Sequence, residues 1–164
     1  MFQIMRFFLV LLVGMALASC STKLPTFNGL AVTQVQVDKS DRKLYLLHNE
    51  KVLKSYTMAL GFSPIGHKEI EGDGRTPEGL YYISDRNPNS NYHLSLRISY
   101  PNEQDIAKAK ALGQPPGGDI FIHGGPRGPI AQSDWTAGCI SVTDRQMEEI
   151  YSMVNLGTPI WIIE

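Results

Sequence analysis

The sequence contains few cysteines and little net charge. Two of its 164 residues are cysteines, and 15 lysines and arginines nearly balance 16 aspartates and glutamates, for a net charge of −1. Two cysteines are too few for a disulfide-rich scaffold, and a near-neutral chain without long runs of one sign does not indicate nucleic-acid binding. The sequence also lacks internal repeats and low-complexity segments, which excludes repeat architectures.

A long hydrophobic run is missing as well, although the N-terminus is apolar. The segment from Phe7 to Leu17 follows Arg6 and has 11 residues, fewer than the about 20 that a membrane-spanning helix needs. We therefore expect residues 1–19 to be a signal peptide. The run Leu17-Ala18-Ser19-Cys20 resembles a bacterial lipobox, which implies cleavage before Cys20 and lipid attachment to its sulfur. The alternative is an ordinary signal peptide with an incidental cysteine.

The lipobox predicts where the protein resides and how its chain is divided. Ser21, with no aspartate at that position, is typical of lipoproteins sorted to the outer membrane. We expect a periplasmic protein anchored to the membrane by lipid. Residues 20–29 then form a lipidated tether, and residues 30–164 form one domain of ordinary size with its own core.

Hydrophobic patterns in this domain predict a mainly β fold with two short helices. Asn102 is a suitable N-cap for a helix over 103–112, and Thr143 with Gln146 forms a capping-box pattern for a second helix that ends before Gly157. The first runs form an antiparallel meander, and the run 94–100 alternates apolar and polar residues, which predicts one polar face. The predicted strands cover residues 32–37, 43–48, 52–60, 79–84, 94–100, 119–123 and 160–163.

Cys139 is the candidate nucleophile and His123 its candidate base. If Cys20 carries lipid, Cys139 has no disulfide partner, and an unpaired thiol in an oxidising compartment is a hazard unless it is used. His123 precedes it by 16 positions and ends a predicted strand, whereas Cys139 lies on a loop ahead of the second helix. Rigid scaffolds often present reactive groups at such places.

Charge and backbone geometry would then activate this pair. A free thiol has a pKa of about 8.5, and a nearby imidazolium lowers it, so we expect a thiolate at Cys139 at neutral pH. The peptide N–H groups of Gly138 and Cys139 are candidates to bind an oxyanion. Gly124 begins a segment rich in glycine and proline that turns the backbone sharply beside His123.

The combination of motifs resembles the L,D-transpeptidase catalytic domain family. His123, the run Thr136-x-Gly138-Cys139-Ile140 before a capped helix, and Gly157-Thr158-Pro159 before a strand carry the resemblance, and residues 72–81 are similar to the Thr-Pro-x-Gly segment of that family. The resemblance spans about residues 32–164 and implies a β-sandwich or barrel-like domain. The runs Gly-Asp-x-x-Thr-Pro-Glu-Gly and Thr-Ala-Gly-Cys look closer to the branch that includes amidases detaching lipoprotein from peptidoglycan than to the cross-linking branch.

The resemblance also implies a mechanism and partners. Cys139 would attack the carbonyl of the third stem residue of peptidoglycan, such as meso-diaminopimelate, and His123 would carry the proton to the leaving amine. A second amine or water would resolve the thioacyl-enzyme, without metal or other cofactor. Thr136 would steady the loop or hydrogen-bond the histidine. The partners implied are peptidoglycan stem peptides, a peptidoglycan-linked lipoprotein, and the membrane through the lipid anchor, with a role in cell-wall remodelling and cell shape.

Four further residues are candidate substrate contacts. Asp73 and Arg75 either touch the substrate or build a turn, and Trp135 is either a wall of the cleft or a packed loop anchor. Ser141 stands where many family members carry arginine or asparagine, and this favours hydrolysis or detachment over cross-linking. We predict no metal site, because the remaining histidines show no ligand spacing. These histidines are His48, His67 and His93.

Three other classes of protein remain in competition. Papain-like peptidases place the cysteine before the histidine, opposite to the order here. Sortases have an arginine after the cysteine, but Arg145 falls inside the predicted second helix, whereas a sortase arginine lies on a strand. A lipoprotein that binds peptidoglycan without catalysis would keep the scaffold, although an intact pair of cysteine and histidine argues against it.

Overall fold

The computed structural model of the chain describes residues 27–125 and 134–164. The predicted signal peptide, the lipidation of Cys20, most of the tether and the Gly/Pro-rich segment beyond Gly125 lie outside these residues. The described part is mainly β with two short helices, as predicted. Its elements in chain order are β1 (Gln34–Asp38), β2 (Lys43–His48), β3 (Lys51–Thr57), β4 (Gly79–Ser90), β5 (His93–Ile98), α1 (Glu103–Ala111), β6 (Phe121–His123), β7 (Ile140–Ser141), α2 (Asp144–Met153) and β8 (Pro159–Ile163).

The strands form one unclosed sheet in the order β3-β2-β1-β8-β4-β5-β6-β7. β1, β2 and β3 form the expected antiparallel meander. β8 was expected only as a closing strand, and it lies between β1, which it pairs in parallel, and β4, which it pairs antiparallel. β4 belongs to both halves of the sheet, because its first residues pair with β8 and its later residues with β5.

Within the described residues, the two ends of the unclosed sheet approach each other at two isolated β-bridges. The segment after β3 meets the region around β7 through the pairs Ala59–Ser141 and Gly61–Thr136. The N–H of Ala59 donates to Ser141 O at 2.9 Å, and the reverse bond has the same length. Residues 58–60, expected as the end of a strand, therefore leave β3 and attach to the segment that carries the candidate nucleophile.

Both helices begin at their predicted caps. Asn102 accepts hydrogen bonds from the N–H groups of Gln104 and Asp105, and Thr143 forms a reciprocal capping box with Gln146. α2 buries an apolar face against the sheet, since Met147 is fully buried. Neither helix in the described part of the chain is long and apolar enough to cross a membrane.

The core fills the space between the sheet and α2. Its fully buried members come from both halves of the sheet, so the two halves share one core. Fully buried core side chains include Val35, Val37, Leu44, Leu46, Leu96, Ile98, Ile122, Ile140, Ile150 and Ile160.

Candidate active site

Cys139 and His123 line the same cavity. Its volume is about 300 Å³, and it lies between the β4–β5 hairpin and the segments that flank β6 and β7. The structure therefore brings together the two residues that the sequence predicted as nucleophile and base. The cavity is also lined by Asn87, Ser90, Asn91, Tyr92, Ser95, Asp119 and Phe121.

The thiol of Cys139 is protonated at neutral pH in this environment. Sγ donates a hydrogen bond to Asp119 O at 3.5 Å. Burial raises the pKa of the Cys139 thiol and Asp119 adds to the rise, and together they outweigh the backbone hydrogen bond from Phe121 and the positive charge of Lys68. The expected lowering of this pKa is therefore wrong, because the sequence does not show which segments surround the partly buried thiol and remove water from it.

His123 is held as a neutral imidazole with a defined tautomer. The residue is 3% exposed, and Nδ1 lies 2.7 Å from Gly124 O. Because a carbonyl oxygen only accepts, Nδ1 carries the proton and Nε2 keeps a lone pair. Burial lowers the pKa of His123 more than the bond to Gly124 raises it. Nε2 can therefore act as a proton acceptor without prior deprotonation.

Thr136 shapes the loop that carries the nucleophile. Its hydroxyl donates to Cys139 O at 2.7 Å and accepts from the N–H of Gly138 at 3.2 Å. Of the two roles that the sequence left open for Thr136, the structure has the loop contact. The N–H of Gly138 is thereby bonded within the loop, and its oxyanion role stays a prediction. The N–H of Cys139 makes no hydrogen bond to any described residue and remains as the donor near Sγ.

The Thr-Pro segment supports this loop from behind, a role that the sequence analysis did not identify. Thr76 is fully buried, and its hydroxyl donates to Gly138 O at 2.9 Å. Gly138 has φ +130, and a Cβ there would lie 2.6 Å from Arg75 O. A Cβ on Gly61 would lie 2.0 Å from Gly74 O. Three chain segments therefore meet at backbone contact, which requires glycine.

An ion pair anchors the chain as it enters the loop. Asp134 accepts from Arg42 Nη2 at 2.8 Å and from the N–H of Leu60, also at 2.8 Å. The sequence gave no signal for this contact, because Arg42 and Asp134 are 92 positions apart.

The backbone beside His123 is equally crowded. The N–H of Gly124 donates to Tyr92 O at 3.1 Å. A Cβ on Gly124 would lie 2.5 Å from Asp144 Oδ1 and 2.9 Å from Tyr92 O. Gly124 therefore lets the hairpin tip and the first turn of α2 approach the histidine closely.

Two aromatic rings contact the imidazole. Trp135 lies edge-on to His123, with ring centroids 5.7 Å apart and an interplanar angle of 77°. Tyr92 stacks on His123 at 4.5 Å and 29°. Trp135 thus packs against His123 and Tyr92 and is not among the described residues that line the cavity, which agrees with a packed loop anchor rather than a wall of the cleft. Sequence reasoning missed Tyr92, whose only signal was an aromatic residue inside a polar turn.

Asp73 and Arg75 build a turn rather than project into the cavity. Asp73 accepts from Lys68 Nζ at 2.8 Å and from the N–H groups of Glu69 and Arg75 at 2.8 Å and 3.0 Å. Burial alone would raise the pKa of Asp73, but these bonds and a further one from Ile70 hold it below its usual value. Arg75 Nη1 donates to Glu69 Oε2 at 3.2 Å. The proposed substrate contacts of this pair are therefore replaced by turn contacts.

The structure also corrects the expectation that Ser141 contacts the substrate. Its side chain is fully buried, and its hydroxyl donates to Gly125 O. It pairs with His123 across β6 and β7, so it supports the backbone and does not line the cavity. The inference from Ser141 to hydrolysis loses its structural basis.

Ser95 lines the cavity, contrary to the position that the pattern of β5 predicted for it. The alternation predicted a solvent-facing side chain, yet Ser95 is 3% exposed. It pairs with His123 and with Asn87 on the neighbouring strands and lines the cavity. The polar face of β5 is thus partly the floor of the site.

A larger groove of about 750 Å³ lies elsewhere, between the start of β4 and α1. It contains neither candidate catalytic residue, and its buried polar groups bond to one another. Asp105 accepts from Tyr81 Oη at 2.9 Å and lies 3.1 Å from His67 Nε2. His67 is thus part of an internal network.

Comparison with known proteins gives a consistent result. Residues 33–162 match the model of the YkuD family, described as the L,D-transpeptidase catalytic domain. The curated protein named "Putative L,D-transpeptidase YafK" of Escherichia coli K12 is 29% identical over 128 residues, which cover 74% of this chain and 46% of that protein. The chain therefore spans about half the length of the curated relatives it matches.

Solved structures share the fold. The helical cell shape determining protein Pgp2 of Campylobacter jejuni superposes with a TM-score of 0.64 at 27% identity, covering 88% of this chain and 52% of that chain. Bd1075 of Bdellovibrio bacteriovorus superposes with a TM-score of 0.58 at 24% identity, covering 85% and 51% of the two chains. At that lower identity the likeness shows the fold alone.

Proposed function

The chain belongs to the L,D-transpeptidase catalytic domain family, and we propose that it modifies peptidoglycan stem peptides through a thioacyl-enzyme on Cys139. The observation that carries the proposal is the single cavity that both Cys139 and His123 line. The tautomer of His123 leaves Nε2 as the proton acceptor. A protein that only binds peptidoglycan would not need this arrangement.

The neutral pair reacts by transferring its proton during the attack. As Cys139 Sγ bonds to the donor carbonyl carbon, Nε2 of His123 takes the thiol proton. The N–H of Cys139 donates to the oxyanion that forms. The carbon–nitrogen bond then breaks, the departing amine takes the proton from His123, and a thioester remains. Water or a second amine attacks the thioester, and its proton returns through His123 to the sulfur.

The donor is a stem peptide with a diaminopimelate acyl group, and the acceptor is water or an amine. Water as the acceptor is supported by four polar residues among those that line the cavity, because their side chains can hold it by hydrogen bonds; these residues are Asn87, Ser90, Asn91 and Ser95. The reaction is then hydrolysis or detachment of a peptidoglycan-linked lipoprotein. Cross-link formation is the second candidate, supported by the family to which the chain belongs.

We further propose a lipid anchor on Cys20 that keeps the enzyme at the outer membrane, facing the periplasm. The basis is the run Leu17-Ala18-Ser19-Cys20 followed by Ser21. Replacing Cys20 by Ala should remove the protein from the membrane fraction or leave it uncleaved. Normal processing with continued membrane association would contradict the anchor.

Mass spectrometry of purified muropeptides incubated with the protein tests the function. Tripeptide products or released lipoprotein fragments would identify hydrolysis, and new 3-3 cross-links would identify transfer. Cys139→Ala should abolish every product and leave the fold intact, because it removes a nucleophile and little core volume. If Cys139→Ala forms products at the wild-type rate, the mechanism is refuted. If the wild type forms no products, the alternative of a protein that only binds peptidoglycan is favoured.

A further inference from the structure

Tyr92 covers one face of the imidazole of His123. The ring centroids are 4.5 Å apart and the planes meet at 29°, which is an offset stack rather than an edge contact. Trp135 approaches from another side, at 5.7 Å from His123 and 5.8 Å from Tyr92. Tyr92 itself is 49% exposed, so it shields the histidine while facing water.

A strained turn places Tyr92 there. The N–H of Leu94 donates to Tyr92 O at 3.0 Å, which closes a three-residue turn around His93. His93 has φ +71, a conformation that side-chain-bearing residues rarely adopt and that costs free energy. The turn thus lies at the end of the β4–β5 ladder, whose last pair is Ser90 with His93.

The turn is tied to the base and to the second helix. Tyr92 O also accepts from the N–H of Gly124, at 3.1 Å, and Gly124 O is the acceptor for His123 Nδ1. His93 Nε2 lies 2.9 Å from Glu148 Oε1 of α2. One short turn therefore contacts the ring of His123 and the peptide that sets its tautomer.

We propose that Tyr92 is a positioning residue for His123, whose stacked ring, held by the turn at His93, fixes the plane of the imidazole and keeps water from its face. The bond to Gly124 defines one nitrogen of the ring, but it leaves the ring free to rock about that bond. Tyr92 removes this freedom and leaves Nε2 directed to the cavity that it shares with Cys139. The proposal rests on the proposed function only in taking His123 as the base.

The stack also contributes to the burial that favours the neutral imidazole. The other titratable groups around His123 are the Cys139 thiol, Asp119 at the cavity rim, Asp144 of α2 and His93 of the turn. None of these groups is altered by a change at Tyr92. A shift in the titration of His123 on removing the ring therefore reports the loss of the stack.

The test compares Tyr92→Leu and Tyr92→Phe with Tyr82→Leu as the matched control. Tyr82 is also 49% exposed but lies on β4, outside the cavity. In Tyr92→Leu the His123 midpoint, followed by NMR of histidine-labelled protein, should rise toward its ordinary value of about 6.5. The kcat should fall by about 2- to 10-fold, the range that corresponds to an aromatic pair, with KM nearly unchanged. Tyr92→Phe should retain the wild-type titration and most of the kcat.

Two results would overturn the proposal. One is a His123 titration in Tyr92→Leu that matches the wild type, whatever the activity. The other is an equal shift in Tyr82→Leu, which would show a general effect on the fold. If the wild type proves inactive on muropeptides while Tyr92→Leu still shifts the titration, the proposed function fails and the positioning of the imidazole stands.

Discussion

The two sides of the cavity that Cys139 and His123 line are supported in different ways. Cys139 lies on a loop held by buried hydroxyls and by backbone contacts that only glycine permits, from Gly61, Thr76 and Gly138. His123 lies at a strand end beside one close backbone approach, at Gly124, and its other contacts include a stacked tyrosine from a half-exposed turn. Buried backbone contacts cannot relax, whereas exposed side-chain contacts can adjust at low cost. More of the contacts on the Cys139 side are thus between buried backbone groups, and more of those on the His123 side involve exposed side chains.

The largest effect is expected from a substitution that adds a single methyl group on the Cys139 side of the cavity. Gly61→Ala places a Cβ 2.0 Å from Gly74 O, and backbone atoms cannot yield like a flexible side chain. We expect the free energy of unfolding to fall by about 3 kcal/mol or more, measured by urea denaturation. Gly118→Ala is the control, since its Cβ would meet nothing nearer than 3.9 Å. Equal stabilities of the two variants would contradict a rigid nucleophile side.

The hydroxyl of Thr76 gives a smaller and more local test. Thr76→Val keeps the shape but leaves Gly138 O without its donor, which should cost about 1–3 kcal/mol. Loss of loop geometry should also slow acylation of Cys139, as followed by single-turnover kinetics. Thr76→Ser restores the hydroxyl and should recover most of both losses. A Thr76→Val variant with normal kinetics would show that the loop holds its shape without this bond.

The pH dependence of the two sides follows from their pKa shifts. Because the pKa of Cys139 is raised, alkylation by iodoacetamide should increase with pH through about 8.5 and above, without a fast plateau at low pH. Because the pKa of His123 is lowered, the base stays neutral as the pH falls through about 6.5, and kcat/KM should persist below that value. A low-pH alkylation plateau that His123→Ala removes would restore the thiolate–imidazolium pair that the sequence predicted.

The smallest effect should come from the surface of the histidine side. Glu148→Gln weakens the pair with His93, whose side chains are 38% and 37% exposed. Solvent screens such pairs, so we expect a loss of about 0.5 kcal/mol or less and a kcat within about 2-fold of the wild type. Thermal unfolding and steady-state kinetics measure both. A loss as large as that of Thr76→Val would mean that the histidine side is as rigid as the other.

Local sequence signals predicted the local structure well. Asn102 and Thr143 mark the helix starts because capping involves residues two or three positions away. His123 and Cys139 were identifiable because an unpaired thiol, a preceding glycine and an upstream histidine point to one chemistry. The mainly β content followed from short apolar runs between turn residues.

What the sequence did not show depends on distant contacts. The hydrogen bond between Thr76 and Gly138 spans 62 positions, and no local sequence pattern indicates it. Ser95 was assigned to the solvent face because alternation separates two faces but does not say what lies beyond each. The charge state of Cys139 was wrong for a related reason, since its pKa depends on burial by segments remote in the chain.

The position of β8 makes the folding of this chain slow and order-dependent. Val35 of β1 pairs with Ile160 of β8, so a loop of more than 100 residues must close before the centre of the sheet forms, and such non-local pairing slows folding to milliseconds or longer. Until then, β1 and β4 each present an edge of unpaired backbone groups. Until residues 159–163 pair, these two edges are therefore open to strands of other chains.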